Sequence, residues 1–428
     1  MAPGATTTAA AAAGGDHMKE AVGLPVHPST RIVTFPSFRL GNGATLVLVE
    51  LAFSTYGTLN EAGDNAVIVG HSLTSNSCVH EWWEPMMGPG ENFCLDTSRD
   101  FVVCANYLGS PYGTTSPTTA DPHKANGAPY GADFPAPCSI RDNVRLQRKL
   151  LDHLGVTHLR MAIGGSMGCM LALEWGATYP EFVAEMCLVA GCGRHTAWAI
   201  GIGEAERFAI MADAKYNGGD YDPQDPPNAG LAAARMTAML TYRAPSSIDE
   251  RFNRTVLGGK QIRKPTRHDE LGVVSHANEG ATSTLPHFEV ESYLQYQGRK
   301  FTRRFDPNCY IQLTYTLDSH DVAAGRGDYL ETLRSLSHRT MVVGITSDVL
   351  YPFHLSQELA AHMPAAVLHP IDSTHGHDAF LIEIEGLNKS IATWRRGGDP
   401  MHARAQMQKL TLTPTPKDGT GGAKGDTQ

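Results

Sequence analysis

The chain of 428 residues is 42% hydrophobic and 18% charged, which gives ample material for a large buried core and is too apolar for a disordered chain. Its 35 Lys and Arg against 44 Asp and Glu leave a formal charge of −9, which argues against a protein that lives on nucleic-acid phosphates but allows an anionic ligand held by a few arginines. No stretch approaches the ~20 apolar residues that a membrane helix needs, and the eight cysteines show no zinc-like Cys-x-x-Cys spacing.

Residues 1–22, with the alanine run Ala9 to Ala13, read as a flexible tail. They lack the basic start and long apolar segment of a secretory signal, and no arginine precedes Arg31. With cysteines inside apolar runs such as Phe101-Val102-Val103-Cys104, the expected state is reduced thiols in the cytoplasm. From residue 23 to 192, short apolar runs alternate with amphipathic stretches, the βαβ pattern of a mostly parallel sheet. Strands are predicted at Thr45–Phe53, Ala66–Val69, Phe101–Ala105, Leu159–Ile163 and Met186–Ala190. The clearest helix is Ile140–Leu154, with Gly155 where a C-cap belongs.

The rhythm stops over residues 193–328. Helical runs are predicted there at Trp198–Ala212, Leu231–Leu240 and Asp318–Ala324, interrupted by a polar segment, 258–286. This reads as a helical lid inserted into the sheet domain and covering the site. The core resumes over 329–396 with strands Met341–Ile345 and Ala366–Ile371, and 397–428 reads as a second flexible tail. The fold class is therefore α/β, with a mostly parallel sheet and an inserted helical lid; a nucleophilic serine on a strand-to-helix turn would make it an α/β-hydrolase fold.

The most specific local string is Gly164-Gly165-Ser166-Met167-Gly168, a G-x-S-x-G with a strand running in and the apolar Met170–Trp175 stretch running out as a helix. A strand-to-helix turn this sharp strains the serine backbone, and small neighbours remove the Cβ clashes. Ser166 is the candidate nucleophile. A serine needs a base, and the base needs an orienter. The fold places these after the serine in the order acid, then histidine. Asp348, just past strand Met341–Ile345, is the candidate acid. Past the last strand, His375 and His377 compete for the base; His377 is favoured because it adjoins the following helix and follows Gly376.

With these residues placed, the sequence resembles the homoserine O-acetyltransferase family over about Pro36 to Ile391. The strings that carry it include Glu291-Ser292-Tyr293-Leu294 with Tyr296-Gln297-Gly298, Gly230-Leu231 with Ala234-Arg235, Thr241-Tyr242-Arg243, Leu317-Asp318 with His320-Asp321, and Gly376-His377-Asp378-Ala379-Phe380-Leu381. Leu108-Gly109-Ser110-Pro111 looks like the fungal branch. The resemblance implies a triad of Ser166, Asp348 and His377 and backbone oxyanion donors at Leu73 and Met167. It also implies a ping-pong transfer of acetyl from acetyl-CoA to the homoserine hydroxyl, a step of methionine biosynthesis. Acetyl-CoA is then a substrate, and no cofactor is held permanently. Arg235 would take the acceptor carboxylate with Tyr242 nearby, Asp378 would meet the ammonium, and two copies would pair through the lid helices. No metal, nucleic-acid or membrane partner is expected. Cys169 departs from the family pattern, which has Gly there.

Serine O-acetyltransferase and homoserine O-succinyltransferase activities fit the same scaffold, because one methylene of acceptor is worth only about 1–3 kcal/mol of discrimination. An ester hydrolase is the alternative of another class, but an esterase needs no amino-acid clamp.

Overall fold

The computed structural model describes residues 6–8, 27, 29–261 and 286–399. At its centre is a nine-stranded sheet made of β1 (Thr6–Thr8), β2 (Arg31–Arg39), β3 (Thr45–Tyr56), β4 (Ala66–Gly70), β5 (Phe101–Ala105), β6 (Leu159–Gly165), β7 (Val183–Val189), β8 (Arg339–Ile345) and β9 (Ala366–Ile371). Their spatial order is β1-β2-β3-β5-β4-β6-β7-β8-β9. Pairing is antiparallel from β1 to β3 and from β3 to β5, and parallel from β5 onward. In register, Ile68 faces Ala162, Ile163 faces Cys187 and Val189 faces Val343.

The parallel strands are apolar on both faces because both faces are covered. On β4, Ala66 and Ile68 join one core with helix α1 (Ile140–Leu154) and helix α2 (Met167–Thr178). Val67 and Val69 join the opposite core, with Trp83, Phe380 and Trp394. Helix α1 is bounded as its sequence demands. Ser139 and Asp142 form a reciprocal N-terminal box, and Gly155 closes the helix at φ 82°.

Between β7 and β8 lie helices α3 (Ala197–Met211), α4 (Asn228–Thr241), α5 (Glu289–Thr302) and α6 (Pro307–Asp318), followed after β8 by α7 (Phe353–His362) and, after β9, by α8 (Ile384–Arg395). The helix expected at Asp318–Ala324 does not form. Instead α6 ends at Asp318, having started from an Asp306 side-chain cap with Pro307 in its first turn. The residues after it have given their backbone groups elsewhere: His195 N–H donates to the His320 carbonyl, and Val322 N–H donates to the Gly193 carbonyl.

Two strands of this nine-stranded sheet were not expected from the sequence. One is β2, and the other is β1, whose Thr6–Thr8 lies inside the segment read as a tail and pairs with Ile32–Thr34. In the polar segment 258–286, strand Val256–Gln261 pairs with Pro286–Phe288; residues 262–285 lie outside the described residues, as does the second tail beyond Asp399.

Candidate active site

Ser166 stands at the junction of β6 and α2 with φ 60° and ψ −121°, a backbone conformation that a non-glycine residue adopts only under local constraint. Two contacts impose it. Ser166 N–H donates to the Val189 carbonyl at 2.9 Å, and α2 presses directly on β4. A Cβ on Gly168 would sit 2.0 Å from the Gly70 carbonyl oxygen, so only glycine allows this approach. The turn leaves the serine buried, at 8% exposure, on the floor of a small cavity.

His377 reaches it from a one-turn helix after β9, Gly376–Asp378. The Ser166 hydroxyl lies 2.9 Å from His377 Nε2, and His377 Nδ1 lies 2.7 Å from Asp348 Oδ2. The tautomer that satisfies both contacts has the Ser166 O–H donating to Nε2 and the Nδ1–H donating to Asp348. Asp348 sits past the end of β8 and is itself fixed, its Oδ1 accepting from the backbone N–H groups of Leu350 at 2.8 Å and Tyr351 at 2.9 Å. Burial acts to lower the His377 pKa, but the Asp348 carboxylate beside it outweighs burial, and the net shift is upward. The competing His375 faces Ser247 instead, at 3.4 Å.

Leu73 lines the cavity with Ser166, and Met167 opens α2 immediately after it. Among the described residues neither backbone N–H has a hydrogen-bond partner. Each thus keeps a donor unspent, and the N-terminus of α2 favours negative charge beside Ser166.

The acceptor residues named from the sequence gather on the lid side. The Arg235 guanidinium, on α4, lies over the Phe301 ring at 5.0 Å and the Tyr242 ring at 5.5 Å. Among the described residues it has no ion pair or hydrogen bond. Tyr242, the C-cap of α4, lies tilted at 40° to the base, with ring centres 6.0 Å apart, and its carbonyl accepts from Asp378 N–H at 2.9 Å. Asp378 approaches Arg243 at 4.0 Å; burial raises its carboxyl pKa, and His377, Arg235 and Arg243 oppose that rise.

The structure adds residues that the sequence reading did not single out. Glu206 on α3 is buried in the wall of the Ser166 cavity. Arg304, just after α5, donates to the Thr74 carbonyl at 2.8 Å and to the Tyr112 hydroxyl at 2.7 Å, so the lid grips the loop that carries Leu73. Trp198 at the start of α3 donates to the Val349 carbonyl at 2.7 Å, beside the triad acid.

The cavity at Ser166 encloses about 30 Å³. A larger one, about 290 Å³, opens at the other end of the strands and is lined by Asp100, Arg160 and Arg395. Its charges already pair with one another (Arg395 with Asp100 at 3.1 Å, Arg160 with Asp100 at 3.5 Å), and it holds no nucleophile and base within reach of each other.

A serine on a strained strand-to-helix turn, hydrogen-bonded through histidine to aspartate above the C-terminal ends of a parallel sheet, defines an α/β-hydrolase-fold enzyme. The family model described as the alpha/beta hydrolase fold matches residues 65–383. The homoserine O-acetyltransferase of Salinibacter ruber is 46% identical over 370 residues, covering 86% of this chain and 97% of that protein. One from Gibberella fujikuroi is 44% identical and covers 84% and 86%. The chain belongs to the homoserine O-acetyltransferase family. Among solved structures, the homoserine O-acetyltransferase of Bacillus anthracis superposes with a TM-score of 0.74 at 22% identity, covering 86% of this chain and 97% of that one. The esterase E22 superposes at 0.73 and 25% identity, covering 86% and 99%.

Proposed function

We propose that this enzyme moves an acetyl group from acetyl-CoA to the hydroxyl of L-homoserine through an acetyl-Ser166 intermediate. The observation that carries the reading is the Arg235 guanidinium, without an ion pair among the described residues, in the lid beside a complete serine–histidine–aspartate series. A hydrolase whose acceptor is water has no use for a carboxylate clamp, whereas an amino-acid acceptor needs one.

In the first half, His377 Nε2 takes the Ser166 proton as Oγ attacks the thioester carbonyl. The oxyanion that forms lies against the N–H groups of Leu73 and Met167. The C–S bond then breaks, and His377 returns the proton to the leaving sulfur. In the second half, the homoserine hydroxyl gives its proton to His377 and attacks the acetyl carbon, and Ser166 leaves with that proton. Arg235 holds the acceptor carboxylate beside Tyr242, and Asp378 stands toward its ammonium. Asp348 keeps the imidazole in the tautomer that both halves require. Acetyl-CoA is a substrate throughout, and the chemistry calls for no permanent cofactor.

The small cavity favours acetyl over succinyl, because a succinyl chain adds a methylene and a carboxylate to a space of about 30 Å³. Among the described residues no helix is long and apolar enough to cross a membrane. The proposal also takes the enzyme as a cytoplasmic homodimer joined through the lid, as the family resemblance and the reduced cysteines of the sequence suggest.

Labelled acetyl-CoA without acceptor should leave one acetyl group on Ser166, and homoserine should discharge it faster than serine does. Absence of label on Ser166 would end this mechanism. Discharge to water as fast as to homoserine would make the enzyme an esterase. In Arg235→Ala, acceptor use should fall while acetyl-enzyme still forms; equal loss of both steps would assign Arg235 to the donor.

A further inference from the structure

Glu206 is an acid without a task in that mechanism. It lies on α3, on the face that lines the Ser166 cavity together with Ala199, Ile202 and Gly203. Only 5% of it is exposed, and acids buried to that degree are normally paired. One oxygen, Oε2, accepts from the Tyr310 hydroxyl of α6 at 3.0 Å. Its other oxygen has no hydrogen-bond partner among the described residues. Arg207, next to it on α3, is committed to Asp318 at 2.8 Å.

Its neighbours from the other elements show what it faces. Arg235 of α4 is close enough to act on its charge yet makes no ion pair with it. Tyr310 packs edge-on against Phe301, the ring beneath the Arg235 guanidinium. Tyr242 feels the charges of Arg235, Glu206 and Asp378 together. A carboxylate in the cavity wall and a guanidinium over the ring of Tyr242, which also lines that cavity, thus each keep bonding capacity unspent among the described residues. A cation and an anion left unpaired with each other are what a zwitterion would pair with, head to tail.

We propose that Glu206 is a second ammonium-binding acid of the acceptor site. With the acceptor carboxylate on Arg235, the α-ammonium falls between Asp378 of the histidine loop and Glu206 of the lid. Asp378 is partly engaged by Arg243, whereas Glu206 has a free oxygen. The inference rests on the acetyl-transfer reading above and narrows its acceptor to α-amino acids with a side-chain hydroxyl, excluding plain hydroxy acids and alcohols. Burial holds the Glu206 pKa up at about 7 against the opposing pull of Tyr310, Arg235 and Arg207. A bound ammonium would draw off that proton, which agrees with a group kept ready for a cation.

The test compares homoserine with 4-hydroxybutanoate, which has the same hydroxyl and carboxylate but no ammonium, as acceptors for enzyme pre-acetylated by p-nitrophenyl acetate. Wild type should prefer homoserine strongly. In Glu206→Gln, which keeps shape and the Tyr310 contact, KM for homoserine should rise roughly 10–100-fold, the range lost with one charge-assisted bond. KM for 4-hydroxybutanoate should stay put, and the acetylation burst should keep its amplitude. An unchanged preference overturns the assignment. So does a burst that falls in step with transfer, because Glu206 would then shape the acyl pocket. Glu206→Asp, which restores charge on a shorter stem, should recover part of the preference if charge is what matters. The wild-type burst and its discharge by homoserine test the parent reading separately.

Discussion

At the scale of single residues, the triad was legible because each member follows a recognisable strand, whereas Glu206 was not. It sits in the string Gly203-Glu204-Ala205-Glu206-Arg207, where a charge run on a helix reads as a solvated face. Only the packing of α3 under α6 turns Glu206 inward while Glu204 stays outside. His377 was favoured over His375 from its place beside the following helix, and the contacts to Ser166 and Asp348 are made by His377. Cys169 now has a packing role. A Cβ on Gly191 would lie 2.6 Å from the Cys169 sulfur, so the thiol fills the space that Gly191 leaves open. Burial raises its pKa to about 12, so it stays protonated and takes no part in proton transfer. The upward shift of His377 has a kinetic consequence. The base must be neutral to accept the serine proton, so acetylation is lost as pH falls through its pKa. The acid limb of kcat/KM for the donor should therefore lie above the ordinary histidine value of 6.5. In Asp348→Asn, acetylation should slow by about 10⁴-fold, because the tautomer is no longer fixed. Stopped-flow p-nitrophenyl acetate bursts across pH measure both, and a limb at or below 6.5 would contradict the assigned network.

At the scale of elements, strands β4 to β8 could be read because a strand covered on both faces is a short continuous apolar run. Strand β2 could not. Its sequence, Arg31 to Arg39, is half-exposed and contains Pro36, which normally argues against a central strand. It is tolerated near the edge, where the register passes from Phe35–Val49 to Ser37–Val47 around it. Helix α6 was missed for a related reason. Its Tyr, Ile and Thr content reads as extended structure, and the cap at Asp306 with Pro307 was the overlooked signal. The loop that carries Leu73 leans on the lid through Arg304, and this makes a further prediction. Arg304→Ala leaves the Thr74 carbonyl and the Tyr112 hydroxyl without their charged donor and loosens the oxyanion loop. Acetylation should fall roughly 10–100-fold, less than the ~10²–10³ lost when an oxyanion donor is removed outright. The Ser166–His377 geometry should survive, so phosphonate labelling of Ser166 should still go to completion. Gly168→Ala acts one element away and more severely. Its Cβ would meet backbone at 2.0 Å, and neither α2 nor β4 can yield without opening the elbow. A loss of about 3 kcal/mol or more is expected from overpacking against backbone, seen as a lower urea midpoint at unchanged m-value.

At the scale of the whole molecule, the lid does more than cover the site. Arg304 holds the oxyanion loop, Trp198 holds the acid loop, and the Tyr242 carbonyl receives Asp378 N–H from the histidine loop. The three loops that meet at Ser166 are therefore each tied to the insertion, and lid and triad should lose order together. That coupling gives the proposed dimer a functional meaning. The outward faces of the same helices carry large apolar side chains, with Phe208 on α3 66% exposed, Tyr296 on α5 55% and Leu240 on α4 48%. Such a concentration on adjacent helices is costly for a monomer and typical of a buried interface. The double change Phe208→Asp with Leu240→Asp should shift sedimentation from the dimer to the monomer mass, since charges desolvated at an interface core cost several kcal/mol. If the dimer steadies the lid, the monomer should also acetylate Ser166 more slowly although neither substituted residue touches the site. A dimer that persists would place the interface elsewhere. A monomer of full activity would show that the lid holds the three loops without help from a second copy.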